Sequence, residues 1–134
     1  IFGYMILNDV SARDIQEMDK QFTRAKSFDT FAPCGPWITT KDEIDNPQNL
    51  KLLTKINGIT RQDSITSKMF IKIPSIISIL SKSMTLEPGD IISTGTAAGV
   101  ALNNPKIPYL KDGDHIEMEI EKLGKIENKV KFVD

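Results

Sequence analysis

The dipeptide Asn57-Gly58 constrains the fold of this chain more than any other short segment. Strand-like stretches flank it over residues 50–56 and 59–63. Asn and Gly both tolerate the positive φ angles of a type I′ turn, and this turn joins antiparallel strands through two residues. The segment therefore predicts a tight β-hairpin.

The rest of the 134-residue chain also favours strands. Apolar runs and alternating patterns predict them over Ile1–Leu7, Pro36–Thr40, Ile91–Thr94, Ile116–Ile120 and Lys125–Val133. Two short helices are predicted: one runs from a Ser11–Asp14 capping box to about Met18, and one runs from Ile73 to Met84 with Pro74 in its first turn. We expect residues 1–134 to form one domain that is mostly β with short helices.

The composition and charge of the chain exclude several classes of function. The formal net charge is −1, from 17 Lys and Arg against 18 Asp and Glu, which excludes nucleic-acid binding through bulk positive charge. We also expect no membrane span, because no apolar run approaches the roughly 20 residues required. A single cysteine, Cys34, predicts a reducing, cytoplasmic location. Since His115 is the only histidine, catalysis would depend on carboxylates, lysine and amides.

Asp9, Arg13 and Gln16 form the first candidate cluster. Asp9 follows the first predicted strand, and Arg13 and Gln16 are spaced to share one face of the following helix. A carboxylate, a guanidinium and an amide together suit a metal ion with an anionic, carbonyl-bearing substrate. The alternative, at about even odds, is that Asp9 and Ser11 only cap the helix while Arg13 pairs with an exposed acid.

Lys26 and the loop around Thr96 are the other candidates. Lys26 lies among small and aromatic residues, where partial desolvation would make it an electrostatic group or proton donor; a solvated surface lysine is the more common case. The Thr94–Gly99 loop could present N–H groups and hydroxyls to a carboxylate. The alternating acids Glu117, Glu119 and Glu121 are predicted to face solvent, and Cys34 to be packed.

Several segments, in order along the chain, carry a family signature. They are Asn8–Gln16, Thr23–Pro33, Gly35–Trp37, Asn57-Gly58, Arg61-Gln62, Thr85–Asp90 and Thr94–Thr96. Together they resemble the fumarylacetoacetate hydrolase family, closest to its 2-hydroxyhepta-2,4-diene-1,7-dioate isomerase and acylpyruvase branch. The resemblance covers nearly the whole chain and implies a mixed β-sandwich roll and a homodimer.

The resemblance also implies a chemistry. Asp9 matches the family's metal-binding aspartate, with Mg²⁺ or Mn²⁺ as the expected ion and Ca²⁺ as an alternative. Lys26 matches the active-site lysine, Arg13 and Gln16 match positions near the substrate, and Thr96 matches the threonine of the substrate-carboxylate loop. The implied substrate is a small 2-oxo dicarboxylate or acylpyruvate, converted through an enolate by C–C hydrolysis, decarboxylation or isomerisation.

Two departures from the family pattern stand out. The family's Glu-x-Glu metal ligands and its His-Glu pair lie upstream of the segment that matches Ile1, so we expect this chain to be the C-terminal part of a longer protein. Its loop reads Thr96-Ala97-Ala98-Gly99-Val100, where the family usually has Thr-Pro-x-Gly-Val. Besides a metal-dependent enzyme, a ligand-binding module without turnover and a purely structural β-domain remain open.

Overall fold

The computed structural model describes residues 1–102 and 104–133, which form six strands and two α-helices. The strands are β1 (Gly3–Leu7), β2 (Cys34–Thr40), β3 (Lys51–Ile56), β4 (Ile59–Ile65), β5 (His115–Ile120) and β6 (Gly124–Lys129). The helices are α1 (Arg13–Asp19) and α2 (Ile73–Leu80), and short 3-10 helices span Arg24–Lys26, Lys41–Glu43 and Thr66–Lys68. The prediction of a mostly β chain with two short helices is confirmed.

The strands form two antiparallel sheets. One contains β4, β3, β5 and β6 in that order, and the other pairs β1 with β2. The β3–β4 hairpin turns at Asn57 and Gly58, whose φ angles are 52° and 77°. Both angles lie in the left-handed region that a type I′ turn requires. The predicted hairpin is therefore confirmed.

The hydrophobic core lies between the two sheets, where β1 contacts β5 and β6. Ile6 of β1 is fully buried and packs in one cluster with Ile44, Leu50 and Leu123. Met118 of β5 packs against this cluster. The end of β1 is thus anchored in the core, and it leads directly into the segment that carries Asp9.

Two strand predictions differ from the structure by more than a residue or two at their ends. Residues 91–94 form no strand: Ile91 is 60% exposed, and no described strand pairs with the segment. An apolar run becomes a strand only when another strand satisfies its N–H and C=O groups. The last strand, β6, ends at Lys129 and not at Val133, because its partner β5 provides pairing positions only from His115 onward.

The helices begin and end differently from the prediction. Helix α1 begins at Arg13, and its N-cap is Ala12, which makes no side-chain capping bond. Ser11 is one residue too early to cap, and its hydroxyl donates instead to the Asp9 carbonyl oxygen at 3.3 Å. Helix α2 has Pro74 in its first turn as predicted, but it ends at Leu80. Within the described residues, no helix has both the length and the apolar character needed to cross a bilayer.

Candidate active site

Asp9 and Lys26, 17 residues apart in sequence, form a direct ion pair and hydrogen bond through Asp9 Oδ2 and Lys26 Nζ. The Lys26 side chain is 31% exposed and the Asp9 side chain 38% exposed. Both groups are therefore partly shielded yet reachable by a small molecule. The Asp9 carboxylate does not cap helix α1, because the N-cap is Ala12 and makes no side-chain hydrogen bond.

Backbone hydrogen bonds hold the two segments together. The Asn8 amide donates to the Pro33 carbonyl at 2.9 Å, and the Ala12 amide donates to the Ala25 carbonyl at 2.9 Å. Ala25 is fully buried, so its neighbour Lys26 extends from an anchored backbone. These two backbone hydrogen bonds set the distance between the segment that carries Asp9 and the segment that carries Lys26. The ion pair therefore joins two segments that are already adjacent.

A second ion pair supports the Lys26 segment. Arg24 donates from Nε to Asp19 Oδ2 at 2.7 Å and from Nη2 to Asp19 Oδ1 at 2.5 Å. The hydrogen bond from Arg24 holds the pKa of Asp19 below its usual value. This two-point contact ties the last residue of α1 to the 3-10 helix that carries Lys26. Neither residue was predicted to have this role from the sequence, although their opposite charges five positions apart were a usable signal.

Arg13 and Gln16 are adjacent on α1, as their spacing predicted. Arg13 Nη1 donates to Gln16 Oε1 at 2.5 Å, and both side chains are half-buried. The contact leaves the other guanidinium N–H groups and the Gln16 amide nitrogen available to a ligand. No acid within residues 1–102 and 104–133 forms an ion pair with Arg13, which was the alternative interpretation.

Thr96 belongs to a separate network. The Gln62 amide nitrogen donates to Thr96 Oγ1 at 2.8 Å and to the Ala97 carbonyl at 2.9 Å, and its oxygen accepts from Thr54 Oγ1 at 2.8 Å. A Cβ on Gly99 would lie 1.9 Å from the Arg61 carbonyl oxygen, so the loop rests against β4 where only glycine fits. Neither Gln62 nor Thr54 had a predicted role of its own.

The candidate residues thus form three groups: the pair Asp9–Lys26, the pair Arg13–Gln16, and the Thr96 loop. No hydrogen bond or ion pair among the described residues joins Thr96 to any of the other four. The first two pairs lie on one continuous segment, since α1 follows Asp9 by only a few residues. Residues 9–26 therefore carry an ammonium paired with a carboxylate, and a guanidinium paired with an amide.

The described residues do not by themselves form a site for Mg²⁺, Mn²⁺ or Ca²⁺. Within residues 1–102 and 104–133, no three His, Cys, Asp or Glu side chains come together as a metal-binding group. Asp9 is the one candidate ligand, and its Oδ2 atom contacts the Lys26 ammonium. Such hard cations take six or more oxygen ligands, so a single carboxylate supplies only a fraction of the coordination shell.

The other ionisable residues considered from sequence lie elsewhere. Glu117 and Glu127 both pair with Lys125, at 2.6 and 2.7 Å, and His115 lies 3.2 Å from Glu127. The hydrogen bond from Lys125 lowers the pKa of Glu117. Lys125 and the two glutamates form a charged network across β5 and β6 with His115 beside it, and among the described residues these side chains form no metal-binding group. Cys34 is exposed, so the prediction that it is packed was wrong.

Comparison with protein families gives one match that spans the fold and all the candidate residues. A family model described as "Fumarylacetoacetate (FAA) hydrolase C-terminal" matches residues 1–131. An oxaloacetate tautomerase from Bacillus subtilis is 45% identical over 130 residues, covering 97% of this chain and 43% of that protein. A mitochondrial oxaloacetate tautomerase from Bos taurus is 45% identical over 132 residues, covering 97% of this chain and 42% of the relative.

Solved structures match the fold just as completely. The 2-hydroxyhepta-2,4-diene-1,7-dioate isomerase from Mycobacterium marinum is 45% identical with a TM-score of 0.86, covering 98% of this chain and 48% of that one. A fumarylacetoacetate hydrolase from Exiguobacterium antarcticum is 45% identical with a TM-score of 0.92, covering 97% of this chain and 47% of that one. The chain spans about half the length of the relatives it matches.

Proposed function

The chain belongs to the fumarylacetoacetate hydrolase family, and on that premise we propose that the protein containing it converts small 2-oxo acids through an enolate. Among the reactions of the family, we propose keto–enol exchange of oxaloacetate, because two relatives named for that activity are each 45% identical to the chain. The structural observation that carries the proposal is the partly shielded Lys26–Asp9 ion pair.

The reaction needs a fixed positive charge. Conversion of the keto form to the enol removes a proton from the carbon next to the carbonyl and adds a proton to the carbonyl oxygen. The enolate between these steps carries its negative charge mainly on that oxygen. An ammonium held in place before the reaction stabilises the charge without reorganisation. We propose that Lys26 provides this ammonium and that its ion pair with Asp9 holds the ammonium in position.

Substrate binding is assigned to the second pair. Oxaloacetate carries two carboxylates, and a guanidinium binds a carboxylate through two parallel hydrogen bonds. Arg13 has unused N–H groups beside its contact with Gln16, and the Gln16 amide nitrogen is a further donor. We assign the carboxylate next to the reacting carbonyl to Arg13 and Gln16, and the other carboxylate to the Thr96 loop.

Enzymes of this family generally use a divalent metal ion. A bound divalent cation polarises a carbonyl oxygen and stabilises an adjacent enolate. Asp9 is the residue of this chain that we propose as a ligand, and the further oxygen ligands would come from outside residues 1–134. A homodimer is also part of the proposal, supported by exposed apolar side chains such as Phe70, which is 99% exposed.

The proposal is tested on the complete gene product with oxaloacetate. Its keto and enol forms differ in ultraviolet absorbance, so the rate of their exchange is followed directly by stopped flow. We expect the protein to accelerate the exchange above the buffer rate, with a chelator reducing the acceleration and Mg²⁺ or Mn²⁺ restoring it.

Parallel assays separate the alternatives. Coupling to a pyruvate-consuming dehydrogenase detects decarboxylation, and pyruvate formation without faster exchange would replace tautomerisation by that reaction. A folded protein that accelerates neither process would contradict the proposed function and would favour a binding or structural domain.

A further inference from the structure

Gln62 carries a buried side-chain amide, and both its nitrogen and its oxygen are hydrogen-bonded. Its residue is 8% exposed, and it lies on β4 between the sheet and the loop that carries Thr96. The amide nitrogen contacts two oxygens, Thr96 Oγ1 and the Ala97 carbonyl, and the amide oxygen contacts Thr54 Oγ1. One side chain thus links the interior of the four-stranded sheet to an exposed loop.

The partners fix which way each hydrogen points. The Ala97 carbonyl can only accept, so the nitrogen of Gln62 must face it, and the opposite orientation would place two acceptor oxygens 2.9 Å apart. The second hydrogen on that nitrogen then goes to Thr96 Oγ1, which accepts it. Because the Thr96 hydroxyl oxygen already accepts from Gln62, its own hydrogen is free to donate to another group.

We propose that Gln62 is a positioning residue that fixes the Thr96 hydroxyl as a hydrogen-bond donor and so makes the loop select a substrate carboxylate. The proposal rests on the proposed function, in which Thr96 faces a carboxylate of the substrate. Thr96 is exposed, so its free hydrogen reaches solvent or a ligand. The close approach of Gly99 to the Arg61 carbonyl holds the loop in register at its other end.

A double-mutant cycle in the complete gene product measures the coupling. Thr96→Val removes the donor, whereas Gln62→Glu introduces an oxygen that accepts the Thr96 hydrogen, turns it inward and also repels the Ala97 carbonyl. Each change should raise KM for oxaloacetate about tenfold, the scale of one hydrogen bond to a charged group, with kcat nearly unchanged. The double variant should be no worse than Gln62→Glu alone, because Gln62→Glu already removes the hydrogen bond that Thr96→Val removes. Thr96→Ser should retain the wild-type KM.

A matched threonine provides the control. Thr66 Oγ1 accepts from the Leu50 amide at 2.9 Å and donates to the Pro47 carbonyl at 2.8 Å, away from the loop. Thr66→Val should lower the melting temperature without changing KM. If KM rises equally in Thr66→Val, or if the effects of Gln62→Glu and Thr96→Val multiply in the double variant, Gln62 has only a structural role and the proposal is wrong.

Nuclear magnetic resonance tests the geometry without turnover. Both side-chain amide hydrogens of Gln62 should exchange slowly with solvent, since both are donated, and Thr96→Val should release one of them. Oxalate, used as a dicarboxylate probe, should shift the Thr96 backbone resonance in the wild type and not in Gln62→Glu. Fast exchange of either Gln62 hydrogen, or no oxalate shift in the wild type, would overturn the proposal. Failure of the oxaloacetate assay alone would instead remove the proposed function.

Discussion

Gly58 and Gly99 form a matched pair for testing how closely the Thr96 loop packs on β4. Both glycines have positive φ angles, 77° for Gly58 and 114° for Gly99. A Cβ on Gly58 would meet no atom within 4 Å, whereas a Cβ on Gly99 would lie 1.9 Å from the Arg61 carbonyl oxygen. The two substitutions to alanine therefore share backbone strain but differ in steric clash.

The magnitudes follow from that difference. Strain at positive φ costs about 1 kcal/mol for an alanine, which is the whole expected effect of Gly58→Ala. Forcing a methyl group into packed backbone adds about 1–3 kcal/mol, so Gly99→Ala should lower the free energy of unfolding by about 2–4 kcal/mol. Because the loop must shift away from Arg61, Gly99→Ala should also raise KM for oxaloacetate, and Gly58→Ala should not.

Chemical denaturation of the two variants beside the wild type measures these effects. The midpoint and the slope are both needed, because a changed slope would mean that the substitution altered compactness as well as stability. Equal losses of stability in the two variants would refute the reasoning that the loop contacts β4 at Gly99. A stability-neutral Gly58→Ala would contradict the type I′ turn.

Three further outcomes are expected. Ile6→Ala should lower the free energy of unfolding by about 2–5 kcal/mol in a denaturation experiment, because Ile6 is fully buried and its removal leaves a cavity; a loss below about 1 kcal/mol would contradict its central place in the core. Hydrogen bonds from the Lys111 backbone and the Asn57 side chain lower the pKa of Asp114 from its usual value of 3.8. The ionised Asp114 carboxylate therefore stabilises the folded state at pH values above the unfolded-state pKa, and this contribution is lost as the pH falls through the folded-state pKa. Thermal melts should therefore show falling stability below about pH 4, and Asp114→Asn should flatten that dependence. Titration calorimetry on residues 1–134 should show only weak Mg²⁺ binding, because Asp9 is the one candidate ligand among residues 1–102 and 104–133, and tight stoichiometric binding would contradict this.

Local rules were sufficient for much of the fold. The hairpin at Asn57-Gly58 follows from the conformational freedom of two residues, and β5 follows from strict alternation, with Ile116 buried and Glu119 exposed. The strand predicted at residues 91–94 failed because a strand requires a partner, and no pattern within the segment shows whether one exists. Capping by Ser11 failed because the helix began later than the motif indicated.

Fewer contacts of the candidate site than of the fold could be predicted from neighbouring residues in the sequence. Spacing alone placed Arg13 and Gln16 together, since three positions on a helix make one face. The contact between Asp9 and Lys26 joins segments 17 positions apart, and only the family resemblance placed both residues in one site. Gln62 was noted only as part of the family signature, because a polar residue in a strand normally faces solvent, whereas this one is buried and hydrogen-bonded through both amide atoms.

The central claim is that the Lys26 ammonium stabilises the enolate of a 2-oxo acid. Its most direct test is the kcat of Lys26→Met in the complete gene product, with Lys82→Met as the exposed-lysine control and circular dichroism to verify folding. We predict that Lys26→Met folds and loses about 10²-fold or more in kcat, because the enolate charge develops fully only near the transition state. Arg13→Met should instead raise KM, and Lys82→Met should change neither constant. An unchanged kcat in folded Lys26→Met would contradict the claim.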